Sequence, residues 1–179
     1  MNRMKNNLPI RKRNRLKNFD YSSNGMYFIT ICTKDKTNLF WSNESICVVG
    51  EDSILPQNSV RLTLFGKYVD EAINYIPVVY PHIHLLEYVI MPNHIHLILY
   101  IPNDGGRMLS SPTTLATISI AIGQMKRWVS RRIGIPIWQR SFHDHVIRDH
   151  RDYVKISKYV RDNPNTWKSD CFYSNNHTH

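Results

Sequence analysis

The spacing of apolar and polar positions divides the chain into short strands alternating with helices. Tyr27 to Thr33 alternates aromatic and β-branched residues after a turn at Gly25, which predicts a strand. Phe40 to Val49 is expected to hold a second strand, with Ile46 to Val49 as its core. A polar connection containing Pro56 follows. Leu64, Tyr68 and Ala72 then recur every fourth residue, flanked by Phe65, Val69 and Ile73, so Leu62 to Ile76 reads as a helix that Pro77 ends. Pro81 to Ile90 is a third strand. A tight corner at Met91-Pro92-Asn93 leads into a fourth, His94 to Ile101. After a polar stretch at Asn103 to Gly106 and Ser110 to Pro112, Leu115, Ile118, Ile122, Met125 and Val129 recur at steps of three and four, an amphipathic helix. Asp144 to Ile147 is a fifth strand. His150 to Asn163 is a last helix, with Ile156 and Val160 inward and Pro164 as its stop. This order predicts an α+β fold: an antiparallel sheet of about five strands with helices packed on it.

A chain of 179 residues suits one domain with a proper core. We divide it into a basic arm over 1–20, a single folded domain over 21–167 and a polar tail over 168–179 that includes His177 and His179. Lys and Arg outnumber Asp and Glu by 23 to 14, a net charge of +9, which favours a polyanionic partner. The arm, with Arg3, Lys5, Arg11, Lys12, Arg13, Arg15 and Lys17, reads equally well as a solvated tail or as a segment lying on phosphates. No apolar run is long enough to span a bilayer, and the start lacks the apolar region of a secretory signal. Three widely spaced cysteines, Cys32, Cys47 and Cys171, fit reduced thiols in a cytosol, so a cytoplasmic location is expected.

The chemistry concentrates in histidines. Residues two apart on a strand face the same side, so His94 and His96 present two imidazoles about 7 Å apart along the strand. That suits two ligands of one divalent metal, although on spacing alone two half-buried histidines with hydrogen-bond partners are the commoner outcome. His82/His84 and His143/His145 have the same spacing, and spacing does not choose among the three pairs. Glu87 reads as a surface carboxylate, or as an acceptor behind a metal-bound histidine. Lys126, Arg127, Arg131 and Arg132 crowd the end of their helix, where cations also suit the helix dipole. Trp128 among them is expected in the core. At 100° per residue, Tyr159 and Asn163 are about 40° apart on one helix face, while Tyr153 lies well around the cylinder.

Met91-Pro92-Asn93-His94-Ile95-His96 resembles the HUH motif of the single-tyrosine transposases, and is most similar to that of the REP-associated tyrosine transposases. Tyr21 to Thr33, Phe65-Gly66-Lys67, Ile137 to Arg140, Asp144 to Arg148 and Tyr159 to Pro164 are similar too, in the family's order, so the likeness runs from about Tyr21 to Trp167. The resemblance implies a ferredoxin-like or RNA-recognition-like HUH endonuclease core. It implies that Tyr159 attacks a DNA phosphorus, leaving a 5′-phosphotyrosine and a free 3′-hydroxyl. His94 and His96 would hold Mg²⁺ or Mn²⁺. Asn163 would be a third ligand where relatives often carry glutamine. Arg140 and Arg148 are the phosphate contacts that the resemblance implies, and Arg127 and Arg131 are expected DNA contacts because the cations beside Trp128 resemble a nucleic-acid surface. The implied partner is single-stranded or hairpin DNA of the repetitive extragenic palindrome type, bound by a monomer or a homodimer. Two other classes fit the residues: a non-catalytic nucleic-acid-binding module of the same fold, and a phosphoesterase using paired histidines as acid and base.

Overall fold

Two of the apolar stretches, Gly25–Cys32 and His94–Ile101, bury residues on both faces and so lie side by side in the middle of the sheet. The computed structural model describes residues 24–42, 61–102 and 118–173. Within them β1 (Gly25–Cys32), α1 (Leu64–Asn74), α2 (Ile76–Val79), β2 (His84–Ile90), β3 (His94–Ile101), α3 (Ile118–Ile133), β4 (His143–Ile147) and α4 (His150–Asp162) follow in chain order. The strands form one sheet in the order β2-β3-β1-β4, with every neighbouring pair antiparallel. A β-α-β-β-α-β succession with β3 and β1 in the middle is the ferredoxin-like arrangement. The fold class is therefore α+β, as expected. Four strands occur among the described residues rather than five. In the stretch expected to hold the second strand, Trp41 makes a single bridge to Leu62, and Phe40 turns its ring fully into the core. Ile46 to Val49 lie outside the described residues, as do the basic arm, Leu115, His177 and His179.

The two faces of the sheet do different work. Tyr27, Ile29 and Ile31 of β1 and Ile95, Leu97, Leu99 and Ile101 of β3 pack against Val69, Ala72 and Ile73 of α1 and Ala121, Ile122, Met125 and Val129 of α3. This is the main core. On the opposite face α4 lays Val160, with Ile156 and Tyr153 beside it, on Ile98, Ile147, Phe28, Met26 and Val89. His94 and His96 belong to that second face, at the end of β3 that α4 only partly covers.

Local chemistry sets the helix ends. Thr63 caps α1 by accepting a hydrogen bond from the Gly66 amide at 3.1 Å. A Cβ at position 66 would stand 2.5 Å from the Phe40 carbonyl oxygen, so glycine lets the chain before α1 lie directly on the helix. The two prolines expected to stop helices act differently. Pro77 sits in the first turn of α2, where a missing N–H costs nothing, so the chain restarts a helical turn after α1 has ended at Asn74. Pro164 likewise opens a 3₁₀ segment, Asn163–Ser169, that continues from α4. That continuation carries the end of the described chain back over the histidines.

Candidate metal and nucleophile site

β3 begins where the Pro92-Asn93 corner ends, so both histidines point to the α4 face at the start of the strand. Pairing places His94 opposite Cys32 and His96 opposite Thr30. Both rings are buried, and their Nε2 atoms face each other at 3.0 Å. Each ring is held from behind. His94 Nδ1 meets Asn93 Oδ1 at 2.9 Å, and His96 Nδ1 meets Thr30 Oγ at 2.8 Å. The Asn93 amide nitrogen donates to the Lys36 and Phe172 carbonyls, so its oxygen is left to accept. His94 therefore carries its proton on Nδ1 and offers the Nε2 lone pair. The Thr30 hydroxyl rotates, so it can accept from His96 Nδ1 when that Nε2 is needed as a ligand.

Burial is the main cause that holds both imidazoles far below their usual range, at about 3. They are neutral at physiological pH, the form that binds a metal. The folded-state values lie below the unfolded one near 6.5. The stability they contribute is thus complete above pH 6.5 and is lost as pH falls from there toward 3. The slope is at most about 1.4 kcal/mol per pH unit for each ring. Thermal unfolding of the metal-free protein should show its midpoint dropping steeply between pH 6.5 and 4.5. A midpoint that stays level across that interval would contradict buried neutral imidazoles.

Tyr159 lies on the edge of α4 nearest this pair. Its hydroxyl is 3.4 Å from His96 Nε2 and donates to Asp170 Oδ2 at 3.1 Å. The side chain is 39% exposed, enough for a substrate to reach it. Burial first, and then the Asp170 carboxylate, push its hydroxyl up to about 12, while the Asn163 amide works in the opposite direction. Asn163, one turn on, is completely buried. The amide is close enough to Tyr159 to favour its phenolate, yet neither of its polar atoms makes a hydrogen bond of proper geometry. Tyr153 is turned elsewhere, with its hydroxyl on Glu87.

Two residues at the site carry no role in the pattern of the sequence. Asp170 brings a carboxylate oxygen within 4.8 Å of the ligand atoms of both histidines. Phe172 lays its ring 4.6 Å from that of His94, with Trp167 5.9 Å away on the same imidazole. Both follow the 3₁₀ segment, within a stretch that reads as polar tail; the Phe172-Tyr173 pair is the only hint there that it packs. The donors present fit a divalent cation. Two imidazole nitrogens converge, a carboxylate lies beside them, and a buried amide next to Tyr159 lacks partners that a cation would supply.

The other expected residues are spread more widely. Neither of the remaining histidine pairs is buried: His84, His143 and His145 are exposed, with His145 bonded to Asp152 at 2.7 Å. Arg127 and Arg131 are exposed on α3, which covers the face of the sheet opposite the histidines. With Tyr75, Val79 and Trp128 they line a cleft of about 570 Å³ between α1, α2 and α3. Trp128 is thus on the surface rather than in the core, with Arg132 over its ring. Arg140 is exposed ahead of β4, beyond the histidine end of the sheet. Arg148 is exposed past the other end, because Ile147 pairs with Met26 and His143 with Thr30. Among the described residues no helix is long and apolar enough to cross a membrane.

Comparison with known proteins bears on this arrangement. No family model matches the chain. An uncharacterized protein of Haemophilus influenzae is 33% identical over 175 residues, covering 89% of this chain and 91% of its own length. Among solved structures, a REP-associated tyrosine transposase bound to a REP hairpin superposes with a TM-score of 0.55 at 19% identity, over 86% of this chain and 74% of that one.

Proposed function

Since this chain belongs to one family with the Haemophilus influenzae protein and has the fold of a REP-associated tyrosine transposase, we propose that it is a metal-dependent endonuclease and strand transferase for hairpin-forming single-stranded DNA. The observation that carries this reading is the convergence of Tyr159 with two buried, neutral, back-supported histidines. His94, His96 and Asn163, with Asp170 beside them, would hold Mg²⁺ or Mn²⁺. Bound there, the ion supplies Lewis-acid polarisation of the scissile phosphate.

The chain's own residues perform the exchange. Tyr159 Oη attacks phosphorus, the bond from phosphorus to the 3′ oxygen breaks, and the strand's 5′ phosphate stays on the tyrosine. The phenol proton passes to Asp170, which already accepts its hydrogen bond, and the leaving 3′ oxygen takes up a proton to become a hydroxyl. The reverse attack by a 3′-hydroxyl reseals a strand, so the phosphotyrosine conserves the bond energy that joining needs. Phe172 packs its ring on His94 and helps bury the pair. Arg140, at the histidine end of the sheet, is the best placed of the four arginines to hold the strand being cut. The fold neighbour's REP hairpin suggests palindromic hairpins as substrates.

The test is a labelled single-stranded hairpin from the flanks of the protein's own gene, incubated with Mn²⁺ or Mg²⁺ and run on a denaturing gel. A denaturant-stable protein–DNA band, abolished by EDTA, is expected. Hairpin binding with no such band would identify a non-catalytic nucleic-acid-binding module instead.

A further inference from the structure

Glu87 should not face α4. Leu85 pairs with Leu99 on the core face, and strict alternation would return Glu87 to that face. A bulge between Leu85 and Glu87 breaks the alternation: Glu87 pairs with Ile98, whose side chain lies under α4, while Leu86 is left 41% exposed. A bulge that exposes a leucine and re-aims a carboxylate is a local sacrifice with a definite product. That product is a set of contacts to α4. Glu87 Oε1 accepts hydrogen bonds from Ser157 Oγ at 2.5 Å and from the Tyr153 hydroxyl at 3.0 Å. Arg161 Nε lies 3.9 Å from Oε2.

Residues 153, 157 and 161 form one line along the helix, four residues apart. At 100° per residue, Val160, the buried centre of the face, lies about 60° from Ser157, and Tyr159 about 100° beyond Val160. The Glu87 contacts thus grip one edge of the buried stripe, and the tyrosine rides the other. Apolar contact holds the helix on the sheet but is non-directional, so it sets the turn about the helix axis less sharply than a hydrogen bond does. Hydrogen bonds depend on direction and do resist it. A turn that breaks the Glu87 contacts also swings the Tyr159 hydroxyl relative to His96 and Asn163.

We propose that Glu87 is the positioning residue for Tyr159: the β2 bulge aims its carboxylate at Ser157 and Tyr153, and this polar latch fixes the rotation of α4 that sets the tyrosine hydroxyl beside the histidine pair. The inference rests on reading Tyr159 as the nucleophile. It gives Glu87 a place distinct from the metal, since its carboxylate is committed to α4.

Glu87→Ala and Ser157→Ala test it, with Glu87→Gln as the conservative variant. In the metal-free protein, amide hydrogen exchange should accelerate along 153–163 in Glu87→Ala and to a lesser extent in Ser157→Ala, and remain unchanged in α1 and α3. With hairpin DNA and Mn²⁺, adduct formation at saturating DNA should slow by about 10- to 100-fold, the order expected for a misplacement of an ångström. The DNA concentration for half-maximal rate and the Mn²⁺ affinity should stay as in wild type. Glu87→Gln, which keeps one acceptor oxygen, should recover part of the rate. Unchanged exchange along α4 in both alanine variants overturns the proposal. So does acceleration spread evenly through α1 and α3, or a loss of Mn²⁺ affinity in Glu87→Ala. If wild type forms no adduct, the reading of Tyr159 falls, and the exchange result alone decides whether Glu87 sets the rotation of α4.

Discussion

Tyr159→Phe is expected to abolish the covalent protein–DNA band, lowering its rate of formation by about 10⁴-fold or more, while hairpin affinity is retained. The magnitude is that of removing a nucleophile from a site that keeps its other parts. The substitution deletes one oxygen. The ring keeps its edge contact with Phe28 at 6.2 Å and its place against His96 at 5.3 Å, so α4 has no reason to move. The lost hydroxyl releases Asp170 Oδ2, which lies where water can reach it. Tyr153→Phe is the informative control. Its hydroxyl bonds Glu87 rather than the histidine pair, so the band should persist at a reduced rate. A band lost in Tyr153→Phe and kept in Tyr159→Phe would move the nucleophile six residues along the helix and undo the reading of its faces.

The second large effect concerns the metal. His96→Ala should weaken Mn²⁺ binding by at least about 100-fold in a direct titration, more than the 10- to 100-fold typical of losing a group behind a ligand. The third ligand is open to the same measurement. Asn163 is completely buried with both amide atoms unpartnered, a cost that a bound cation relieves. Asp170 is half-buried and already engaged by Tyr159 and by the Phe172 amide. Asn163→Ala should therefore cost more Mn²⁺ affinity than Asp170→Ala. A larger loss in Asp170→Ala would give the place to the carboxylate. Asn163→Leu carries an opposite expectation for the metal-free fold. Replacing an unsatisfied buried amide by an apolar side chain of similar size should raise the unfolding midpoint.

Much of this was legible in the residues, for physical reasons that can be named. β3 could be read because its two faces differ in kind. Ile95, Leu97 and Leu99 need a core, and His94 and His96 need partners, so alternation alone separates them. α4 could be read because helical periodicity fixes angles within one element, which is why Tyr159 and Asn163 fall together and Tyr153 apart. What could not be read depends on contacts between elements distant in sequence. Asp170 and Phe172 are ordinary residues in a polar stretch until the 3₁₀ turns after Pro164 fold them onto His94. Glu87 looks like a surface carboxylate because a bulge is invisible to a period-two count. Arg127 and Arg131 look like neighbours of the site because nothing in a helix states which side of a sheet it will cover. Proline misled in one consistent way: Pro77 and Pro164 each follow a helix, and each begins another helical turn where the missing N–H is harmless.

The pairing of β3 has a consequence for errors in the chain. Along this strand each core residue is followed by one that faces α4, with both kinds buried through most of its length. Sliding the strand by one position would drive both imidazoles into the main core and put Ile95 and Leu97 where they had been. Neither face accommodates the exchange, so a slipped register is strongly disfavoured. A single inserted codon in β3 should therefore either be taken up locally as a bulge, as one extra residue is in β2, or destabilise the fold as a whole. Register and histidine geometry are thus enforced together, and in a protein that would cut DNA a copy whose β3 had slipped would be open to proteolysis before it met a strand.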